Sequence, residues 1–279
     1  MAAKIKTIWH RFTLGGKVSL AIIIGIAAMW MLSPMVARHS HRIPSGPVLE
    51  APSAVHWLGT DDLGIDLWAQ LCHGAGASLQ IGIGTALLAG VGGSLLGVLA
   101  GYHGGKLDQL IMGICDMMMV VPQLPSMIVL GAFFGAGRSN MIMIIAIFAW
   151  AAPARIVRSK IRSMKHDKYI VAASSYGAGF FHLLKTHFLP GILPLVVVNL
   201  MRIFSHAIVA EAGLAFIGLG DPIAKSWGMI LNRSLNFPGI YFTAYWKWWV
   251  VAPVAFLISL MLALAMVGRD LERVVNRKR

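Results

Sequence analysis

The sequence predicts an all-α integral membrane protein with six transmembrane helices, and three observations predict it. Hydrophobic residues make up 57% of the 279 and charged residues only 13%, about half the charged share of an ordinary soluble domain. Apolar segments of about 20 residues, long enough to cross a bilayer as a helix, recur along the whole chain. Lysine and arginine are also spread unevenly between alternate connections, and that bias sets the orientation of a polytopic protein.

The first span is placed at Val18–Val36, behind a tail, 1–17, that carries Lys4, Lys6, Arg11 and Lys17. Basic residues ahead of an apolar run also mark a secretory leader, but the run reaches Ala37 without a small-x-small cleavage site. The segment 18–37 is therefore read as a retained helix, separate from the domain that follows. An outer loop, 38–76, comes next, with Thr60 expected to cap a short amphipathic helix whose first turn carries Asp61 and Asp62, where the helix dipole favours negative charge. Asp61, Asp62 and Asp66, with His56 and His73 nearby, are also a candidate cation site. The capping reading is preferred and no metal is assigned.

Residues 77–268 form the main domain, with spans at Ser78–Gly101, Gln109–Phe133, Asn140–Val157, Ile192–Phe216 and Trp249–Gly268, followed by a tail, 269–279. Ala89, Gly93, Gly97 and Gly101 recur at every fourth position, so one helix face has almost no bulk and another helix is expected to pack against it. Tyr241, Phe242, Tyr245, Trp246, Trp248 and Trp249 at the outer end of the last span fit an interfacial aromatic belt. The 16 methionines, Met117 to Met119, Met141 and Met143 among them, are read as flexible apolar filler and not as a soft-metal conduit. Cys72, in an expected loop, and Cys115, inside an apolar segment, make neither a disulfide framework nor a metal motif.

Six spans place both termini on one side. That side holds 17 lysines and arginines, in 1–17, 102–108, 155–187 and 269–279, against 6 on the other, and Arg202 falls inside a span. The positive-inside rule makes both termini cytoplasmic, in a multi-pass cytoplasmic (inner) membrane protein whose partners include membrane lipid. Topology also accounts for the formal charge of +13, and no nucleic acid is expected, because the basic residues form no aromatic-interleaved stripe.

Between the fourth and fifth spans, 158–191 is long for a connection in a bundle. A helical hairpin is expected there: Asp167 capping Lys168–Tyr176, Gly177 supplying a left-handed turn, and Phe180–Phe188 forming a second arm stopped near Pro190. Phe180, Phe181, Leu183, Leu184 and Phe188 would give that arm an apolar face for the bilayer surface or for another protein.

The hairpin sequence, Tyr169-Ile-Val-Ala-Ala-Ser-Ser-Tyr-Gly-Ala-Gly179 followed by Phe188-Leu-Pro190, resembles the coupling-loop signature of binding-protein-dependent ABC importer permeases. Ala172, Ala173, Gly177, Leu189 and Pro190 match that signature by position, and Val171 stands where it has glutamate. Further matches are similar to the peptide and nickel branch: His56-Trp-Leu-Gly-Thr-Asp-Asp-Leu-Gly64, Ala100-Gly-Tyr-His-Gly-Gly105, Phe216-Ile-Gly-Leu-Gly220 and Ser226-Trp-Gly228. The resemblance implies the type I ABC importer permease fold, and a coupling loop containing Asp167, Tyr169, Ala172, Ala173, Gly177, Leu189 and Pro190. It implies as partners a similar second permease, two cytoplasmic ABC ATPases and an extracytoplasmic substrate-binding protein.

No G-x-x-x-x-G-K-[ST] phosphate loop occurs. The nearest approach, Gly104-Gly-Lys106, has Ala100 and Leu107 where glycine and a hydroxyl residue belong. The chain is expected to be no enzyme and to bind no cofactor, with ATP and Mg held on the partner ATPases. Neither H-E-x-x-H nor G-x-S-x-G is present, which argues against an intramembrane enzyme. The absence of an internal repeat argues against a stand-alone secondary transporter.

Arg202, Ser205, His206 and Glu211 lie in the fifth span, where a charged group needs a partner or a water-filled cavity. Arg202, His206 and Glu211 are the candidates for the translocation path. At 100° per residue Glu211 lies opposite Arg202 and His206, so the three cannot serve one site on this chain. Within the resemblance, the missing glutamate at Val171 and the placing of His206 ahead of Ala212-Gly213 look more like nickel-importer permeases. Nickel or a nickel chelate is the expected cargo, with dipeptides or oligopeptides as the alternative.

Overall fold

In hydrocarbon a chain can satisfy its backbone polar groups within one segment only as a helix. The computed structural model describes residues 12–135, 137–221 and 224–276, and among them the structure is helical, with one isolated bridge, between Thr60 and Asp66. Lys4, Lys6, Arg11, Arg277, Lys278 and Arg279, counted above for orientation, lie outside the described residues.

Helix α1 is Leu14–Met31, capped by Thr13, and α2 is the short turn Ser33–Val36 with Pro34 at its start. Helix α3 runs Leu67–His103 through a π turn at Ala86–Val91. Helices α4, Gly105–Val120, and α5, Gln123–Phe134, meet at 92°, and α6, Arg138–Ala149, and α7, Ala151–Met164, meet at 43°. Then come α8, Lys168–Ser175, and α9, Phe180–Phe216, which contains a π turn at Leu184–Phe188. The last elements are α10, Trp227–Leu235, α11, Trp246–Trp249, and α12, Val251–Asn276. Among the described residues four helices are long and apolar enough to cross a membrane, and there are six candidate spans when each bent pair counts as one.

Several expectations are corrected. No helix follows Thr60, whose hydroxyl instead bonds the Pro47 carbonyl at 2.6 Å. Asp66 is the cap, its Oδ1 accepting from Ala69 N at 2.7 Å, so the second span begins at Leu67 and encloses Cys72, which is fully buried and not in a loop. The third span breaks before Pro122, which holds Val121 extended and has no N–H to continue a helix. The fourth span carries on past its bend to Met164, which shortens the loop expected at 158–191. Pro190 does not stop the second arm of the hairpin: the π turn shifts the bonding so that Leu189 N reaches Leu184 O. Pro190 then falls in a new first turn, where its missing donor is harmless. Trp249 leaves the aromatic belt for the core, at 1% exposure, while Tyr241 and Phe242 stay outside.

The small-residue ladder packs as expected. A β-carbon on Gly93, Gly97 or Gly101 would collide with the carbonyl oxygen of Trp150, Ala154 or Arg158 respectively, so α3 and α7 run backbone against backbone. The main core joins α3, α9, α10 and α12 through Leu71, Leu79, Phe204, Ile208, Trp227 and Leu260. Helix α1 is not detached from it, because Trp30 lies over Gly76 of α3 and Met266 of α12 lies over Gly15.

The contacts also sort the molecule into two ends. Trp68 at the start of α3 bonds the Val36 carbonyl, and Asp62 pairs with Arg233, so 37–66 and 224–250 share one end. Thr13 bonds Asp270, and Lys165 bonds the Tyr102 carbonyl at 2.6 Å, so the start of α1, the end of α12 and the hairpin share the other.

Candidate functional site

The hairpin is a rigid projection. Asp167 starts α8 with extended backbone, as its position requires, but its side chain does not cap the helix and instead accepts from the Tyr169 hydroxyl at 3.2 Å. At the other end Ala178 N bonds Ala173 O at 3.1 Å and Gly177 N bonds Ser174 O at 3.0 Å, with Gly177 at φ +84°. This paired bonding closes a helix through a left-handed residue, which glycine adopts without strain.

Its base is built into the bundle. Ile170, Leu183 and Phe188 are buried with Val98, Val157, Ile161, Met164 and Ile192, drawn from α3, α7 and α9. Phe180 and Phe188 pack on the Tyr102 ring at centroid distances of 4.6 and 5.9 Å. The apolar face of the second arm is therefore mostly spent inside the chain. What remains outside is a tip: Tyr176 is 93% exposed and Phe181 81%, with Tyr169 and Val171 about half exposed. Ala172, Leu189 and Pro190 are exposed and Ala173 faces the base.

Charged residues that the sequence reading did not single out brace this unit. Arg158 of α7 forms a two-pronged pair with Asp108 of α4, Arg162 approaches the same carboxylate at 3.7 Å, and Arg155 pairs with Asp116. The signal was present as an acid, Asp116, inside a predicted span, with arginines three, four and seven residues apart on the next helix.

The polar residues of α9 divide as the helical spacing requires. Arg202 and His206 are exposed on one face, with Arg202 Nη2 2.6 Å from Glu272 Oε1 on α12. Glu211, 1% exposed, faces the core, where Ser78 of α3 and Ser226 before α10 bond its carboxylate. Of the outer-loop candidates, Asp61 accepts from Leu63 N, Ile65 N and Gln70 Nε2, Asp62 takes Arg233, and His73 stacks on His41. Those residues do not converge on one site with His56 and Asp66.

Residues 93–279 match the family described as binding-protein-dependent transport system inner membrane component. The dipeptide transport system permease protein DppC of Bacillus subtilis is 32% identical over 265 residues, covering 93% of this chain and 80% of that protein. The oligopeptide transport system permease protein OppC of the same organism is 32% identical over 265 residues, covering 94% and 85%. The glutathione transport system permease protein GsiD of Pectobacterium atrosepticum is 36% identical over 186 residues, covering 66% and 62%. These relatives are peptide and glutathione permeases by name, and nickel is not indicated, so the nickel expectation is corrected. Of its two markers, Val171 lies half-exposed on the projecting hairpin, and the other was a lone histidine.

Proposed function

The chain belongs to the binding-protein-dependent transport system inner membrane component family, and from that premise we propose that it is one permease subunit of an ATP-driven importer of peptides. The observation that carries the proposal is the hairpin: a bare aromatic tip on a base packed into three of the membrane helices. A partner that grips such a tip moves the attached helices as a rigid body. In this reading the hairpin and both termini are cytoplasmic, as the basic residues favour, and two ATPases bind the hairpins of this chain and of a similar second permease. ATP and Mg are bound by those ATPases, and an external binding protein delivers peptide to the end formed by 37–66 and 224–250.

The exposed face of α9 supports the same assembly: Arg202 is paired with Glu272, but His206 is costly against lipid and is best met by a partner helix or a hydrated route. Glu211 is assigned a different task, holding α9 to α3 through Ser78.

Uptake assays test the reading. Cells lacking the chain are expected to lose uptake of labelled dipeptides or oligopeptides while nickel uptake is unchanged, and a cysteine replacing Tyr176 is expected to cross-link to an ATPase. Lost nickel uptake with intact peptide uptake would overturn the cargo, and failure to recover any ATPase with the chain would overturn the mechanism.

A further inference from the structure

The end formed by 37–66 and 224–250 holds a cluster to which the proposed transport role assigns no task. His39, His56 and Asp66 each offer one ligand atom, and these atoms lie within 4.8 Å of one another. They come from three places in the chain: the stretch after α2, the outer loop, and the residue that caps α3. His56 and Asp66 are 2% and 3% exposed, while His39 is half-buried and leaves the cluster open on one side.

The inner pair is in hydrogen-bond contact, so both ligand atoms already face one point, where an ion would replace the shared proton. His56 Nδ1 and Asp66 Oδ2 are 2.9 Å apart. Two ligands about 2.0–2.1 Å from one zinc-type ion stand about 2.9 Å apart at a right angle and about 3.3 Å apart at the tetrahedral angle. Asp66 is also held from behind, and a carboxylate stands near the far nitrogen of His56. Asp66 Oδ1 accepts from Ala69 N at 2.7 Å, and His56 Nε2 faces Glu50 Oε2 at 3.7 Å. A carboxylate that closes to hydrogen-bond distance behind the far nitrogen of an imidazole fixes its tautomer and strengthens it as a ligand.

Gly46 makes room for that second carboxylate. A β-carbon there would stand 2.5 Å from His56 Nε2 and 3.0 Å from Glu50 Oε2, between the two groups. The neighbouring histidines are a poor alternative: His41 and His73 stack at 3.7 Å between centroids and feel the charges of Arg42 and Lys225, which repel a cation.

We propose that His39, His56 and Asp66 bind a divalent transition cation of the zinc type, with Glu50 supporting His56 and water completing the coordination. Two imidazoles and a carboxylate suit zinc, cobalt or nickel and not magnesium or calcium. The ion is resident, not cargo, because it ties the outer loop to the first turn of α3. The proposal is independent of what the permease carries.

The test uses the full chain in its purified complex, stripped with chelator and dialysed against zinc chloride with excess magnesium, with bound zinc counted per copy. The readout is the difference between the wild type and His39→Ala, a change at a half-buried ring that leaves the His56–Asp66 contact intact. One saturable zinc per copy, absent in His39→Ala and weakened about 10–100-fold in Glu50→Gln, is the expected result. Equal zinc binding by wild type and His39→Ala, or no saturable zinc in the wild type, overturns the proposal. If His39→Ala fails to assemble, Glu50→Gln decides: unchanged affinity there overturns it equally.

Discussion

Thr13 donates both its backbone N–H and its hydroxyl to one oxygen of Asp270, at 2.9 and 2.7 Å, across 257 residues of chain. The first and last helices are thereby closed on each other at the end that carries the hairpin. Asp270→Ala is expected to leave both donors unpaired and to cost about 1–3 kcal/mol, seen as a lower unfolding midpoint of the detergent-solubilised complex. Asp270→Asn, whose amide oxygen still accepts, should lose less. Equal loss from both would mean that the charge, and not the two hydrogen bonds, closes the bundle.

Gly97→Leu should be severe, because even a β-carbon collides with the Ala154 carbonyl. Overpacking of this kind costs about 1–3 kcal/mol or more, and it should lower both the yield of assembled complex and its thermal midpoint. Gly92, on the same helix, has nothing within 4 Å of its β-carbon position. Gly92→Ala should be neutral or stabilise by about 0.5–1 kcal/mol.

Arg158→Gln removes the two-pronged partner of Asp108, whose side chain is only 10% exposed. A loss of about 1.5–3 kcal/mol is expected for a charged hydrogen bond. A double-mutant cycle with Asp108→Asn should give a coupling energy within about 0.5–3 kcal/mol. Additive effects would show that α4 and α7 are held by packing alone.

Tyr176→Ala and Gly177→Ala separate coupling from folding. Tyr176, 93% exposed, supports no core, so its truncation should change stability by less than about 0.5 kcal/mol while lowering peptide uptake and stimulated ATP hydrolysis. Gly177, at φ +84°, should cost about 1–2 kcal/mol as alanine, loosening the hairpin as well as impairing uptake. Normal uptake by Tyr176→Ala would remove the tip from the mechanism.

Acid should loosen the end formed by 37–66 and 224–250. Burial, then His73, Arg42 and Lys225, pull His41 down to about 4 from its ordinary 6.5. Between those values the unfolded chain binds more protons than the folded one, so stability falls as the pH drops from about 6.5 towards 4. Hydrogen exchange of 37–66 should accelerate across that window in the wild type and change less in His41→Gln. An identical pH response in both would assign the effect to other groups.

The composition and the spacing of apolar runs were enough to determine an all-helical membrane bundle, because a membrane core leaves helices as the one local solution for such segments. Periodicity alone placed Gly93, Gly97 and Gly101 on a packing face and Glu211 opposite Arg202, since both follow from the 3.6-residue turn. The turn at Gly177 was likewise legible, because its conformation is a local property of glycine. Tertiary structure decided what depends on partners distant in the chain: that Thr60 caps no helix of its own but bonds Pro47, and that Phe188 is buried against Tyr102. It also decided that Arg158 reaches Asp108 and that His39 meets His56 and Asp66. Contacts between residues tens of positions apart depend on how whole helices are set against one another, and no window of a single helix contains that information.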